Sequence, residues 1–235
     1  MNKTFASLIV ASALCVTSAA NAFEFVGGTI ALDYSGLTDS DLNDINKTTL
    51  SGNVQVGFAR EFSVQAGLSH SRMGLTNLDS TSIDVHGIFH LSENSSIGLF
   101  LGRDHFEGEG ANFVGFEAGH KMGAFGGEVY VARAKEDDIS GNFLGIRGAY
   151  DVWEYGSIGA RYDRVDVEGL DVSRLSLVGE FAPTPGFSVN AEIGSADFDF
   201  AGKEMFFGIG MEFSFGPNSG TTFRKRSMLD VLPGL

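Results

Sequence analysis

A chain of 235 residues with a formal charge of −14 is long enough for one domain and too acidic to favour nucleic acid. It holds 32 glycines and 21 phenylalanines but only 4 prolines and 1 cysteine, so disulfides cannot hold it together. Past residue 22 no apolar run is long enough for a transmembrane helix.

Residues 1–22 read as an export signal. Lys3 supplies the charged start, Ala6 to Ala19 form a short apolar stretch, and Ala20-Asn21-Ala22 fits the small-x-small cleavage rule. The mature chain is expected to begin at Phe23. Cys15 lies inside this segment, and Leu14 before it is too large for a lipidation site.

From there the apolar residues recur with period 2, the pattern of strands with one apolar face. Val26, Ile30, Leu32 and Tyr34 share a face, as do Leu50, Val54, Val56 and Phe58, and then Phe62, Val64, Ala66 and Leu68. Ile83, Val85, Phe89 and Leu91 follow, then Ile97, Leu99 and Leu101, then Val114, Phe116 and Ala118. Val129 and Val131 are succeeded by Leu144, Ile146 and Tyr150, and by Ile158, Ala160 and Tyr162. Leu175, Leu177 and Phe181 precede Phe187, Val189, Ala191 and Ile193. The last stretch, Met205 to Phe215, sets Met205, Phe207, Ile209, Met211, Phe213 and Phe215 against Gly208, Gly210 and Glu212.

The connections alternate. One set is tight, at residues 60–61, 92–95, 122–126, 152–156 and 182–186. The other is mostly longer and polar, at 36–48, 72–81, 104–112, 135–141, 166–172 and 196–204. Short turns on one side and longer loops on the other predict an all-β fold: a closed antiparallel transmembrane β-barrel of about twelve strands, its tight turns periplasmic and its longer loops extracellular. Ten and fourteen are the neighbouring even counts. Lipid offers no water to a free edge, so the last strand is expected to pair with Val26 to Tyr34. Phe58, Phe62, Phe89, Phe125, Trp153, Tyr155, Phe181, Phe187, Phe213 and Phe215 fall beside the tight turns. Tyr34, Phe106, Phe113, Phe143, Tyr162, Phe198 and Phe206 fall near the long loops. Two aromatic belts are expected at the two membrane interfaces.

The signal-like start, the amphipathic strands and a last strand ending Met211-Glu212-Phe213-Ser214-Phe215 resemble Gram-negative outer-membrane β-barrels of the small porin-like kind, over residues 23–215. The resemblance implies insertion by the barrel-assembly machinery and a setting of outer-membrane lipid and lipopolysaccharide. Monomer and homo-oligomer both stay open. In the family pattern the final aromatic ends the chain, whereas here residues 216–235 follow it.

With the apolar faces toward lipid, the lumen is polar. Arg147, Arg161 and Arg174 fall on three successive strands as a basic stripe. Glu117 and Glu128 precede the stripe, Glu180, Glu192 and Glu212 follow it, and His86 also faces inward. Opposed basic and acidic walls would orient polar solutes and set ion preference. The other reading has Arg–Glu pairs bracing or plugging the lumen. The long connections are acidic, as at Asp39, Asp41 and Asp44, Glu136-Asp137-Asp138 and Asp166 with Glu168. They read as solvated surface, or as a rim that gathers cations or holds divalent ions bridging lipopolysaccharide.

No enzyme activity and no cofactor is expected. His70 and Ser71 are adjacent, so on a strand they point to opposite faces. His86 and His90 share a face but lie about 13 Å apart, too far for one metal. The segment 216–235, with Pro217, Gly220 and Arg224-Lys225-Arg226, is expected as a loose tail on the periplasmic side. The alternatives are folding into the lumen, packing beneath it, or touching peptidoglycan or anionic lipid. The function expected is a porin-like outer-membrane channel for small hydrophilic solutes or ions. The alternative is a non-conducting structural or surface-interaction barrel.

Overall fold

A computed structural model describes residues 23–39, 45–74, 78–136, 139–167, 169–199, 202–218 and 220–233. The expected export signal lies outside these residues, as do Asp41, Asp44, Asp137, Asp138 and Glu168 of the acidic connections.

The alternating pattern folds into twelve strands. They are β1 (Glu24–Leu37), β2 (Asn46–Ala59), β3 (Phe62–Met73), β4 (Asp79–Ser92), β5 (Ser95–Phe106) and β6 (Glu109–Met122), then β7 (Phe125–Glu136), β8 (Ile139–Trp153), β9 (Gly156–Val167), β10 (Leu170–Thr184), β11 (Phe187–Phe198) and β12 (Gly202–Phe215). Each pairs antiparallel with the next. β12 closes on β1 with Gly28 opposite Phe215 and Leu37 opposite Phe206, so the barrel has no free edge.

The outer face explains the closure. Leu177 is 66% exposed, Phe116 65% and Leu101 61%, while their sequence neighbours Ser176, Glu117 and Phe100 are buried inside. An apolar band of this kind around a closed sheet suits lipid rather than water. At the tight-turn end Phe62, Phe89, Phe125, Trp153, Phe181 and Phe213 stand outward as the expected belt. β1 departs from simple alternation. A bulge at Val26 puts Phe25 on the outer face, and turns Val26 inward over Gly57.

The second belt needs correction. Phe113 (3% exposed), Phe143 (0%), Phe198 (2%) and Phe206 (0%) lie inside the barrel, not at the outer interface. Parity is the reason: each shares its face with lumen residues of its own strand, as Phe143 does with Arg147 and Phe206 with Glu212. The polar connections are also shorter than expected. Asp104 pairs with Ala111, Lys135 with Ser140, Asp166 with Asp171 and Lys203 with Asp197, so the ladder continues beyond the apolar band. Backbone pairing does not require apolar side chains, and the change of hydropathy marks the edge of the lipid-facing band rather than the end of the strand. Glu107 and Gly108 take φ of 50° and 98°, the backbone of a tight hairpin turn.

The largest departure is the tail. It does not hang free below the barrel. The chain turns at Gly216 (φ 93°), the Asn218 amide donates to the Val26 carbonyl (3.0 Å), and residues 220–233 run up the lumen toward the long-connection end. The turn lies where β12 ends beside β1, and the inner wall carries groups that meet the tail's backbone and the Arg226 guanidinium.

Candidate functional site: the barrel lumen

The lumen wall is built by parity, and the tail divides it. On one side the tail is bound to β2–β7. The Gln55 side chain accepts from the Thr222 amide (2.6 Å) and donates to the Thr222 hydroxyl (2.9 Å). Gln65 both donates to the Phe223 carbonyl (2.9 Å) and accepts from its amide (3.2 Å), pairing as a neighbouring strand would. Both glutamines are fully buried.

Above them sits a charged cluster. His86 contacts Asp84 through Nε2 (2.8 Å) and Glu117 through Nδ1 (2.5 Å), with all three side chains closed to solvent. Glu117 also accepts from Arg226 Nε (3.0 Å), and the same guanidinium reaches Glu128 (2.7 Å). The Arg226 amide donates to Asp84 (2.6 Å), and its guanidinium lies over the Tyr130 ring at 4.3 Å. A buried charge is costly unless its hydrogen bonds are met, and here each carboxylate has a cationic or backbone partner.

On the other side lies a cavity of about 400 Å³, between the tail and the wall formed by β7–β12 with β1 and β2. Arg161 is paired with Asp163, and Arg174 with Glu192 (2.5 Å). Asp163 is in turn held by the Tyr130 hydroxyl (2.8 Å). Arg147 and the tail's Arg224 face the cavity, and among the described residues neither forms an ion pair.

The nine residues expected to shape a constriction therefore separate. Arg147, Arg161, Arg174, Glu128, Glu192 and Glu212 line the cavity. Glu117 and His86 are sealed behind the tail, where Phe223 stacks on the His86 ring at 6.5 Å. Glu180 lies at the tight-turn end beside Trp153 and Tyr155. The stripe and the acidic wall do not oppose one another across open water. Arg161 and Arg174 are already paired, and Glu117 and Glu128 share Arg226.

Toward the long-connection end the lumen is apolar. Phe100, Phe113, Phe143 and Val165 form a cluster around the tail's Val231. Leu37, Val172, Phe198 and Phe206 form a second, and Leu232 packs against it. Lys47 donates to the Leu229 carbonyl (2.6 Å) and also to that of Leu232. Asp104 accepts from the Met228 amide (2.8 Å), and Arg174 donates to the Asp230 carbonyl (2.9 Å). Sequence reasoning missed Lys47, Phe100 and the tail contacts. The signal was present for the first two: Lys47 shares parity with Asn53 and Gln55, and Phe100 alternates with outward Leu99 and Leu101.

No protein-family model matches the sequence, and no curated protein matches it. Solved structures do. The chain is similar to the KdgM porin in complex with disordered oligogalacturonate at 10% identity, covering 80% of this chain and 99% of that one with a TM-score of 0.62. It is similar to the NanC porin at 8% identity, over 79% of this chain and 98% of that one, with a TM-score of 0.60. An outer membrane channel from Pseudomonas putida F1 matches at 12% identity, over 85% of this chain and 100% of that one, with a TM-score of 0.57. At such identities the likeness is one of architecture: the chain has the fold of outer-membrane porins and channels.

Proposed function

We propose that this chain is a porin-like outer-membrane channel for passive diffusion of small hydrophilic solutes or ions. The observation that carries the reading is the polar cavity of about 400 Å³ between the tail and the arginine-bearing wall, inside a barrel whose outer face is apolar. A lipid-facing barrel needs no wet, charged interior for stability alone, since a lumen filled with apolar side chains would serve. The porins and channel of like fold support the same class. Lipid and lipopolysaccharide would surround the apolar band, and the barrel-assembly machinery would read β12, whose Met211 and Phe213 stand outward.

A second reading has a specific observation behind it. The tail is bound along the lumen by side chains from both walls, which favours a barrel that does not conduct while the tail is in place. Reconstitution of the chain from Phe23 onward in planar bilayers separates the two. Discrete, ohmic conductance steps are the expected result. A folded, heat-modifiable barrel that inserts and passes no current would leave the structural reading in its place.

A further inference from the structure

The contacts between tail and wall are those of a receptor with its peptide. The way in is built for backbone alone. Gly220 crosses β1 so closely that a Cβ on Gly27 would lie 2.1 Å from the Gly220 carbonyl oxygen. Gln55 and Gln65 then read the backbone of Thr222 and Phe223, and Gln55 the Thr222 hydroxyl as well. Specificity comes one residue at a time. The Phe223 ring occupies a slot that Gly98 and Gly119 leave open, where a Cβ would meet the ring at 3.1 and 3.2 Å. Arg226, three residues on, fills a socket of Glu117, Glu128 and the Tyr130 face. Val231 takes the aromatic socket beyond.

The wall also fixes the direction of the peptide. The acids Asp84, Glu117 and Glu128 meet the basic part of the segment. Lys47 and Arg174 meet the carbonyls of Leu229, Leu232 and Asp230 further along. Cations suit exposed carbonyls and carboxylates suit amides and guanidinium, so the reversed peptide would set like against like.

We propose that the lumen is a binding site for an extended basic peptide, which the chain's own C-terminal segment occupies in cis as a removable plug. Its withdrawal toward the tight-turn end opens the pore. The gating half rests on the channel reading; the peptide site does not. No cross-link ties the segment to the wall, and its described contacts are hydrogen bonds, ion pairs and apolar packing, all of them reversible.

Two measurements on the full chain test this. The chain from Phe23 onward has no cysteine of its own, since Cys15 lies in the expected export signal. Ser227 is buried, with its hydroxyl 3.0 Å from that of Ser82. A Ser227→Cys variant should react slowly with a membrane-impermeant maleimide, and at least about tenfold faster when Arg226→Ala is added, because the buried ion pairs are lost. The Ser82→Cys/Ser227→Cys pair, oxidised to a disulfide, should hold the channel at its low-conductance level, and dithiothreitol should restore the larger openings. Heat-modifiable mobility reports that each variant is folded. A Cys at 227 that never reacts, with or without Arg226, overturns the plug and leaves the channel reading untouched. Equal conductance in the oxidised and reduced pair overturns gating by the tail. Equally fast reaction at 227 with and without Arg226 overturns the peptide site, whereas slow reaction that Arg226→Ala accelerates, with no current from any form, supports the peptide site and removes the channel reading.

Discussion

Arg226 is the side chain that ties two lumen carboxylates to the tail. It reaches Glu117 and Glu128 together, and Glu117 is also bound to His86 with no solvent to compensate. Arg226→Met keeps much of the volume and removes the charge. It should destabilise the protein by about 3–5 kcal/mol, the usual cost of leaving one partner of a buried pair alone. Adding Glu117→Gln should recover most of that, since removing both charges costs far less than removing one. Urea unfolding of the single and double variants gives the comparison, and an Arg226→Met variant as stable as the parent would refute the role. None of this could be read from Arg224-Lys225-Arg226 in the sequence, where a basic cluster after the last strand looks like any solvated tail. The wall was legible, because period 2 assigns Glu117, Glu128 and Arg174 to the lumen. Their partner was not, because a segment whose described residues hold a single 3-10 turn, Met228–Asp230, has no period to read.

At the scale of the strand, alternation located all twelve elements and the closure of β12 on β1, since a slip of one residue would turn every apolar side chain to the wrong face. It failed at the strand ends. Phe113, Phe143, Phe198 and Phe206 sit near polar segments, where hydropathy predicts an interface belt, although their parity is that of the lumen. Parity is the stronger signal, because it follows from backbone geometry, whereas aromatic position follows only from hydropathy. The glycines test this. Gly115 faces inward, and a Cβ there would meet Phe100 Cζ at 2.4 Å and the Val131 carbonyl at 2.5 Å. Gly87 has nothing within 4 Å of its would-be Cβ. Gly115→Ala should therefore cost about 1–3 kcal/mol through overpacking, and Gly87→Ala should be close to neutral. The urea midpoint of each refolded variant checks the contrast. Equal midpoints would mean that Phe100 can move aside, and that the apolar cluster around Val231 is looser than it looks.

Across the whole molecule, a formal charge of −14 suggests a uniformly cation-attracting barrel, yet the charge inside is arranged in pairs. The exceptions decide the local field. Arg147 and Arg224 face the same cavity without an ion pair among the described residues, as do Asp33 and Glu212, and the lining carries seven basic against six acidic side chains, so the cavity is more positive than the protein as a whole. A unit charge about 8 Å from a permeating ion in water contributes about 0.5 kcal/mol. Arg147→Glu changes the local charge by two units, about 1 kcal/mol, which is roughly a fivefold shift of permeability toward cations. Arg147→Gln should give about half that energy. A one-unit change at Glu154, Glu154→Gln, beside the pocket at the tight-turn end rather than on the cavity, should shift preference little. Reversal potentials in a salt gradient measure all three. The shift should be large at 0.01 M salt and nearly absent at 1 M, where the Debye length falls to about 3 Å. A preference that ignores Arg147 at low salt would place the conducting route elsewhere than the cavity beside the tail.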